Sequence, residues 1–265
     1  MPHRGCAYGC ARVGRNGKPF EAITVTHVDT STAVLADLKA MCDVVKAVSP
    51  DTLVIVDGVC SAAGEELRMD EWGVDFVLTG SQKAFGVPPG LSIMCASQKA
   101  MSRLLPKDKI KNYFCNMQLW LPIMEAYEAR KPSYFATPAC NLIGALRVGL
   151  EQMQDHPNGM DDYFRLHREN KTKLHKIIQG EMGLELLTES SEIASNLLTC
   201  MKYPAGKGPE ILPIMKKKGW ILAAGLHPEV GGTYFRMGHM GYSVTTKPEY
   251  CTDLLKDLKD TLEGK

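Results

Sequence analysis

The sequence has little net charge, no long hydrophobic run and no complete metal-binding motif. Its 31 lysine and arginine residues nearly balance 30 aspartate and glutamate residues, so the formal charge is only +1. This balance argues against nucleic acid or an anionic membrane as a partner, because both attract strongly basic proteins. No apolar run approaches the roughly 20 residues that span a bilayer, and the first residues lack the apolar core of a secretory signal. We therefore expect a small-molecule partner, with no nucleic acid and no membrane.

The nine cysteines indicate neither a disulfide framework nor a metal site. His3, Cys6 and Cys10 come closest to a metal motif, but no second pair of ligands follows at a spacing that structural zinc needs. Cys60 and Cys95 lie among apolar residues, where a reduced thiol behaves as a small hydrophobe. The sequence therefore predicts no metal and a reducing compartment, with the cytosol as the default.

Short apolar runs separated by helical or loop segments follow residue 20. They predict strands at residues 22–26, at "TLVIVD" ending in Asp57, at "FVLTG" and at "LSIMC", with a helix in "DLKAMCDVVKAV". Continuous apolar runs of this length are typical of parallel strands that are buried on both faces. The pattern predicts an α/β fold with a mostly parallel sheet, in which ligands bind at the carboxyl ends of the strands.

The pattern changes from Asn141, where apolar residues between Leu142 and Met153 mark one face of a helix that "HPNG" at residues 156–159 breaks. Beyond it, a charged helix is followed by the strand-like runs "GLELLTE", "NLLTCMKY" and "GWILAAG" and by two helical segments, "PEILPIMKKK" and "PEYCTDLLKDLKDTL". We expect an irregular lead-in over residues 1–19, a partial large domain over 20–158 and a smaller α+β domain over 159–265.

Two opposite charges lie at the ends of neighbouring predicted strands. Taken singly, Asp57 would most simply cap a turn and Lys83 would lie in solvent. Lys83, however, lies in a segment shaped by Gly86 and Gly90. A lysine amine is a nucleophile only when neutral, and a carbonyl cofactor that traps it as an imine removes this difficulty. Pyridoxal 5′-phosphate (PLP) also requires a carboxylate beside its ring nitrogen, so Lys83 and Asp57 together predict a PLP site.

Five stretches add a resemblance to a known family. The segments "THVDTSTAVLADL", "VDGVCSAAGEE", "DEWGVDFVLTGSQKAFGVPPGLS", "YFATP" and "FRMGHMG" resemble the class V PLP-dependent aminotransferases, most closely the alanine–glyoxylate and serine–pyruvate aminotransferases. The resemblance runs from about Ala22 to the C-terminus. It implies the fold of the PLP-dependent transferases, which is aspartate aminotransferase-like (fold type I), and a homodimer.

The resemblance also implies roles for individual residues. Lys83 would be the Schiff-base lysine and proton shuttle, Asp57 the partner of the pyridine nitrogen, and Arg236 the ligand of the substrate's α-carboxylate. The other cofactor contacts would be Val59 on the ring face, Thr30 near the ring hydroxyl, Gln82 at the phosphate, and Tyr134 and Thr137 at the phosphate of the neighbouring subunit's cofactor. A guanidinium fork binds a carboxylate through two parallel hydrogen bonds, which supports Arg236 independently, and Gly238 and Gly241 would leave room for close approach.

One expected feature of the family does not match. Family members carry, ahead of the first strand, a glycine- and serine-rich turn at a helix N-terminus that holds the cofactor phosphate, and residues 1–19 do not resemble it. We therefore expect a chain without the family's N-terminal segment.

Two functions remain open. One is transamination of alanine or serine with glyoxylate or pyruvate by a ping-pong route. The other is a non-catalytic truncated relative or fragment that associates with a full-length subunit. Besides the cytosol, the resemblance also allows a peroxisomal or mitochondrial location.

Overall fold

The computed structural model describes residues 19–104 and 109–265, so the lead-in predicted over residues 1–19 lies outside it except for Pro19. The strands of the described residues are β1 (Ala22–Thr26), β2 (Val28–Asp29), β3 (Val34–Leu35), β4 (Leu53–Asp57), β5 (Phe76–Gly80), β6 (Ser92–Ala96), β7 (Leu198–Lys202), β8 (Ala223–Ala224) and β9 (Tyr234–Gly238). The α-helices are α1 (Leu38–Val48), α2 (Met69–Trp72), α3 (Gln98–Ser102), α4 (Met117–Glu128), α5 (Cys140–Gln154), α6 (Met160–His175), α7 (Ile211–Lys217), α8 (Tyr242–Thr245) and α9 (Glu249–Leu262). None of these helices is long and apolar enough to cross a bilayer.

The first sheet has four strands in the order β1, β4, β5, β6. Strands β1, β4 and β5 are parallel, with Thr26 paired to Asp57 and Asp57 paired to Leu78. Strand β6 pairs antiparallel to β5, because the segment between them contains no helix and a parallel pair needs a longer crossover connection. The predicted α/β fold with a mostly parallel sheet is confirmed. Since the three parallel strands end at the same edge, Asp57 and the segment after Gly80 both lie there.

One face of this sheet packs against α1. The helix begins after Asp37, whose carboxylate accepts a hydrogen bond from the Ala40 amide at 3.0 Å. The apolar cluster between helix and sheet consists of Val25, Leu38, Cys42, Val45, Val54, Val56, Val74 and Val77. On the opposite face Thr24 and Met94 are exposed, so the prediction of strands buried on both faces is wrong for β1 and β6. The described residues leave that face partly open.

The second sheet is antiparallel, in the order β7, β9, β8. Its core is shared with α6, α7 and α9 and includes the fully buried side chains Leu174, Ile178, Met201, Met215, Phe235, Leu255 and Leu258. The helices predicted in the last sixty residues and the strand in "NLLTCMKY" are confirmed.

The strand predicted at "GLELLTE" is wrong. That segment forms only an isolated bridge, between Leu186 and Met201, and its apolar pattern reflects Leu184 and Leu186 inserting singly into the core. The helix break at "HPNG" is confirmed, since α5 ends at Gln154 and α6 begins at Met160. The division into domains at residues 158 and 159 stays a prediction.

Buried polar contacts hold the two sheets together. Glu65 is only 1% exposed, and its carboxylate accepts hydrogen bonds from the Ser195 hydroxyl at 2.7 Å and from the Asn196 amide nitrogens at 2.5 Å. The Tyr234 hydroxyl, at the start of β9, donates to the Ser31 carbonyl. These contacts bring β9 to the carboxyl edge of the first sheet.

Candidate active site

Asp57 is presented at the end of β4 with one carboxylate oxygen engaged. Its Oδ1 accepts a hydrogen bond from the Val59 amide at 2.9 Å, and the Gly58 amide continues the sheet by donating to the Leu78 carbonyl at 2.8 Å. The Asp57 side chain is exposed and has no cationic partner within the described residues. Its second oxygen is therefore available to a ligand.

Lys83 lies in a turn that backbone and side-chain hydrogen bonds hold closed. The buried Ser81 hydroxyl donates to the Pro88 carbonyl at 2.7 Å, and the Gly86 amide donates to the Lys83 carbonyl at 2.9 Å. Gly86 has a φ of +66°, which a residue with a side chain adopts at a cost. The half-buried Lys83 amine makes no ion pair with any residue in the described ranges, so the turn fixes its backbone and leaves its amine available.

Arg236 reaches the same edge from the second sheet. Its Nε donates to the Ala224 carbonyl at 2.8 Å and its Nη1 to the Thr30 carbonyl at 3.1 Å. These two bonds use two of the five N–H groups of a guanidinium and hold its plane in one orientation. The remaining donors are free to bind a carboxylate. The structure thus brings Arg236 and Thr30 into direct contact.

The charges of the predicted site residues act on the buried Cys60 thiol. The thiol is buried, and this burial raises its pKa. The charges of Lys83 and Arg236 act in the opposite direction, whereas those of Glu65 and Asp57 add to the rise. Electrostatic effects of this kind weaken with distance, so Asp57, Lys83 and Arg236 each lie within electrostatic range of the Cys60 thiol.

The other predicted cofactor contacts have different settings. Val59 is half-buried next to Asp57, and the Gln82 side chain is exposed and folds back over Gly80. Tyr134 is 71% exposed and Thr137 is also exposed. Within the described ranges, no hydrogen bond or ring contact joins Tyr134 or Thr137 to Asp57, Lys83 or Arg236. Their assigned roles stay predictions, including the contact of Tyr134 and Thr137 with a neighbouring subunit.

Gly241 does permit a close approach, and the group that approaches it is the backbone of the lysine turn. A Cβ atom at Gly241 would lie 3.2 Å from the Ala84 carbonyl oxygen and 3.4 Å from that of Lys83. The space beside Gly241 is therefore filled by the backbone of the lysine turn. Gly238, in contrast, has no atom within 4 Å of the corresponding position.

Sequence reasoning missed two residues that contact this region. Glu65 appears in the sequence as one of two adjacent glutamates, with nothing to mark it as buried. Tyr163 lies on the highly charged helix α6, and its only sequence signal is an aromatic residue placed four positions before His167.

The sequence matches the family described as "Aminotransferase class-V" over residues 18–239. The chain belongs to the class V aminotransferases. This class V aminotransferase is 42% identical over 247 residues to alanine–glyoxylate aminotransferase 1 of Saccharomyces cerevisiae. The matched region covers 89% of the chain and 63% of that relative. It is 32% identical over 229 residues to serine–glyoxylate aminotransferase of Arabidopsis thaliana, covering 84% of the chain and 54% of the relative.

A solved structure extends the likeness to the whole fold. Ureidoglycine–glyoxylate aminotransferase from Bacillus subtilis superposes with a TM-score of 0.80 at 26% identity, over 99% of this chain and 64% of that one. The type I fold of PLP-dependent aminotransferases, predicted above, is confirmed. The chain spans 63% and 54% of the lengths of the two curated relatives described above, so their activity, substrates and partners do not transfer to it directly.

The family implies PLP as cofactor, and the residues present fit it. The cofactor needs a primary amine for its aldehyde, a carboxylate for its ring nitrogen and a cation for the carboxylate of its substrate. Lys83, Asp57 and Arg236 are the residues that would supply these groups, and each has donor or acceptor capacity that the described protein atoms leave unused.

Proposed function

We propose that this class V aminotransferase binds PLP through Lys83 and Asp57 and transfers an amino group between alanine or serine and glyoxylate or pyruvate. The observation that carries the proposal is that Asp57 ends β4, that Lys83 follows the neighbouring parallel strand β5, and that the backbone of the Lys83 turn contacts the segment after Arg236. The names of the relatives support glyoxylate as a substrate, because the two curated relatives and the solved structure described above are all named for glyoxylate.

Each residue has a definite task in this proposal. When bound, PLP supplies an aldehyde that takes up the amino group and a protonated ring that withdraws electrons from the substrate's α-carbon. Asp57 keeps the proton on the ring nitrogen, and Arg236 binds and orients the α-carboxylate. Lys83 holds the cofactor and moves the proton at the α-carbon. Thr30, Val59 and Gln82 would contact the ring hydroxyl, the ring face and the phosphate.

We also propose a homodimer in which Tyr134 and Thr137 reach the partner's cofactor. Large apolar side chains are exposed on α4, on α5 and in the segment before α4, and exposed apolar surface of this kind marks protein interfaces. They are Tyr113, Phe114, Leu121, Met124, Tyr127, Ile143, Val148 and Leu150.

We keep the cytosol as the proposed compartment. The cysteines within the described ranges, from Cys42 to Cys251, are all free, and this supports a reducing environment.

The proposal is tested by titrating the purified chain with PLP. We expect a visible absorption band from the covalent lysine–cofactor linkage, and borohydride reduction followed by peptide mass mapping should place the cofactor mass on Lys83. L-Alanine or L-serine should then remove the band in the unreduced protein, and glyoxylate or pyruvate should restore it. A chain with intact far-UV circular dichroism and no visible band would instead support the non-catalytic alternative.

Replacing Arg236 by lysine should weaken substrate binding. Lysine keeps the charge but lacks the planar fork, and hydrogen bonds to charged groups are worth about 1.5–3 kcal/mol, so the KM for the amino acid should rise about 10- to 100-fold. The kcat should change little, because the carboxylate is bound equally before and during the reaction. Steady-state kinetics measures both constants.

Arg147→Lys is the matched control, since the Arg147 side chain is 79% exposed and its only ion-pair partner among the described residues is Glu151, one turn away at 2.7 Å. Equal KM values for Arg236→Lys and Arg147→Lys would remove Arg236 from the substrate site.

A further inference from the structure

We propose that Tyr163 and His167, one turn apart on α6, are positioning residues that hold the Lys83 turn and the segment after Arg236 against each other. This inference rests on the proposed function for its consequence in catalysis. The contacts on which it is based are between protein atoms and do not involve the cofactor.

Tyr163 holds the lysine turn. Its side chain is 5% exposed, and its hydroxyl donates to the carbonyl of Ala84, the residue after Lys83, at 3.0 Å. Burial raises the pKa of the Tyr163 hydroxyl, so the group stays protonated and remains a donor. Ala84 itself is fully buried, so its carbonyl would lose a buried hydrogen bond if the Tyr163 hydroxyl were removed.

His167 holds the segment after Arg236. It is fully buried, and its Nε2 accepts a hydrogen bond from the Gly241 amide at 3.0 Å. Its Nδ1 lies 2.7 Å from the Tyr163 carbonyl. Because a carbonyl only accepts and an amide N–H only donates, these partners fix a neutral ring with the proton on Nδ1. Burial lowers the pKa of His167 to about 4, which keeps the ring in that form near neutral pH.

The two held segments touch each other directly. Gly241 has a φ of +61°, and its Cα faces the carbonyls of Lys83 and Ala84 so closely that a Cβ would lie 3.4 and 3.2 Å from them. The contact joins a turn of the first sheet to the chain that leaves β9, the strand of Arg236. A single helix therefore determines how the proposed cofactor lysine and the proposed carboxylate ligand are placed relative to each other.

Packing alone does not fix this contact. A cavity of about 290 Å³ adjoins it, and its lining includes Phe85, Gly86, Tyr163 and Tyr242. Since side chains do not fill this space, the lysine turn could shift toward it once its hydrogen bonds are removed. On that side the turn is held by the hydrogen bond from the Tyr163 hydroxyl and by the close contact of Gly149 on α5 with Phe85 and Val87.

The first test measures amide hydrogen exchange by NMR in the full chain without cofactor. Tyr163→Phe should speed exchange of the Gly86 and Val87 amides about 5-fold, and His167→Leu should speed exchange of the Gly241 amide about 10-fold, as expected for losing one buried hydrogen bond. His167→Gln, whose amide oxygen can accept from the same N–H, should restore part of the protection.

Tyr203→Phe is the matched control. The Tyr203 hydroxyl is buried and has no partner among the described residues, so its removal should leave exchange at Gly86, Val87 and Gly241 unchanged. Faster exchange spread over the whole chain in Tyr163→Phe, or no local change in either α6 variant, would overturn the inference.

The second test uses the chain loaded with PLP. In Tyr163→Phe we expect the pH midpoint of the visible band to shift and kcat to fall about 10-fold, whereas His167→Leu should mainly raise the KM for the amino acid. If the wild-type chain shows no visible band, the proposed function fails, and the exchange experiment alone decides whether α6 holds the two segments. Wild-type midpoints and constants in both variants would overturn the catalytic consequence.

Discussion

Lys83→Ala should abolish the visible band of the PLP-treated protein and lower transamination by about 10²- to 10⁴-fold, the usual contribution of a positioned proton-transfer group. Lys83 is expected to do two things that no neighbouring described group can do. Its amine holds the cofactor covalently, and the same amine then moves the proton at the substrate's α-carbon. The turn closed by Ser81 and Gly86 forms without the amine, so the variant should fold normally.

The measurements are an absorbance titration with PLP and a coupled assay with L-alanine and glyoxylate. Lys39→Ala serves as the control, because Lys39 is exposed and its only described partner is Asp43, at 2.7 Å. If Lys83→Ala kept the band and the rate, another amine would carry the cofactor and the assignment of Lys83 would be wrong.

Acidification from pH 7 to 4.5 should strongly destabilise the fold, because a cluster of buried histidines stays uncharged in the folded chain and takes up protons when the chain unfolds. The His239 Nε2 lies 2.8 Å from the Thr199 hydroxyl, and the His175 Nε2 lies 3.2 Å from the same oxygen. Burial lowers the pKa of His167 and His175 to about 4 and that of His239 to about 3, and His167 and His175 further lower the pKa of His239. The charge of Lys171 acts in the same direction on His175.

Stability falls on acidification because the folded and unfolded chains take up protons at different pH values. In the unfolded chain each histidine takes up a proton near pH 6.5, whereas in the folded chain it stays neutral until about pH 4. Stability is therefore complete above pH 6.5 and is lost as the pH falls from 6.5 to about 4. Each fully buried histidine contributes roughly 2–3 kcal/mol to this loss, because one pKa unit is worth about 1.4 kcal/mol.

Glu65 has an effect of the opposite sign. Burial raises its pKa above 4.5, so its contribution to stability is lost as the pH rises above that value. Because three buried histidines oppose this one carboxyl group, we expect the free energy of unfolding to fall on acidification.

Urea unfolding at pH 7.5, 6.5, 5.5 and 4.5 measures this dependence. His227→Gln is a suitable control, because it removes a histidine outside the cluster whose ring accepts only the Glu229 amide among the described residues, at 3.3 Å. A free energy of unfolding that stayed constant between pH 6.5 and 4.5 would contradict the neutral buried cluster.

Several elements could be predicted because their signals are local. The helix α1 and the strands β1, β4 and β5 follow from apolar periodicity, which reflects the geometry of the backbone itself. Helix α4 was missed, since Pro122 lies inside it and interrupts the expected pattern. The pattern of "GLELLTE" predicts a strand wrongly, because two leucines at strand spacing do not reveal whether pairing with a neighbouring strand is continuous.

The sequence by itself determined the chemistry available to this protein: a lysine and an aspartate after adjacent parallel strands, and an arginine in a glycine-containing segment far along the chain. Only the tertiary structure decided that Arg236 donates to the Thr30 carbonyl, that Glu65 holds the segment before β7, and that Tyr163 and His167 support both sides of the site. The physical reason is that residue type and periodicity are local properties, whereas these contacts depend on how two apolar cores pack against each other, and no short-range pattern records that packing.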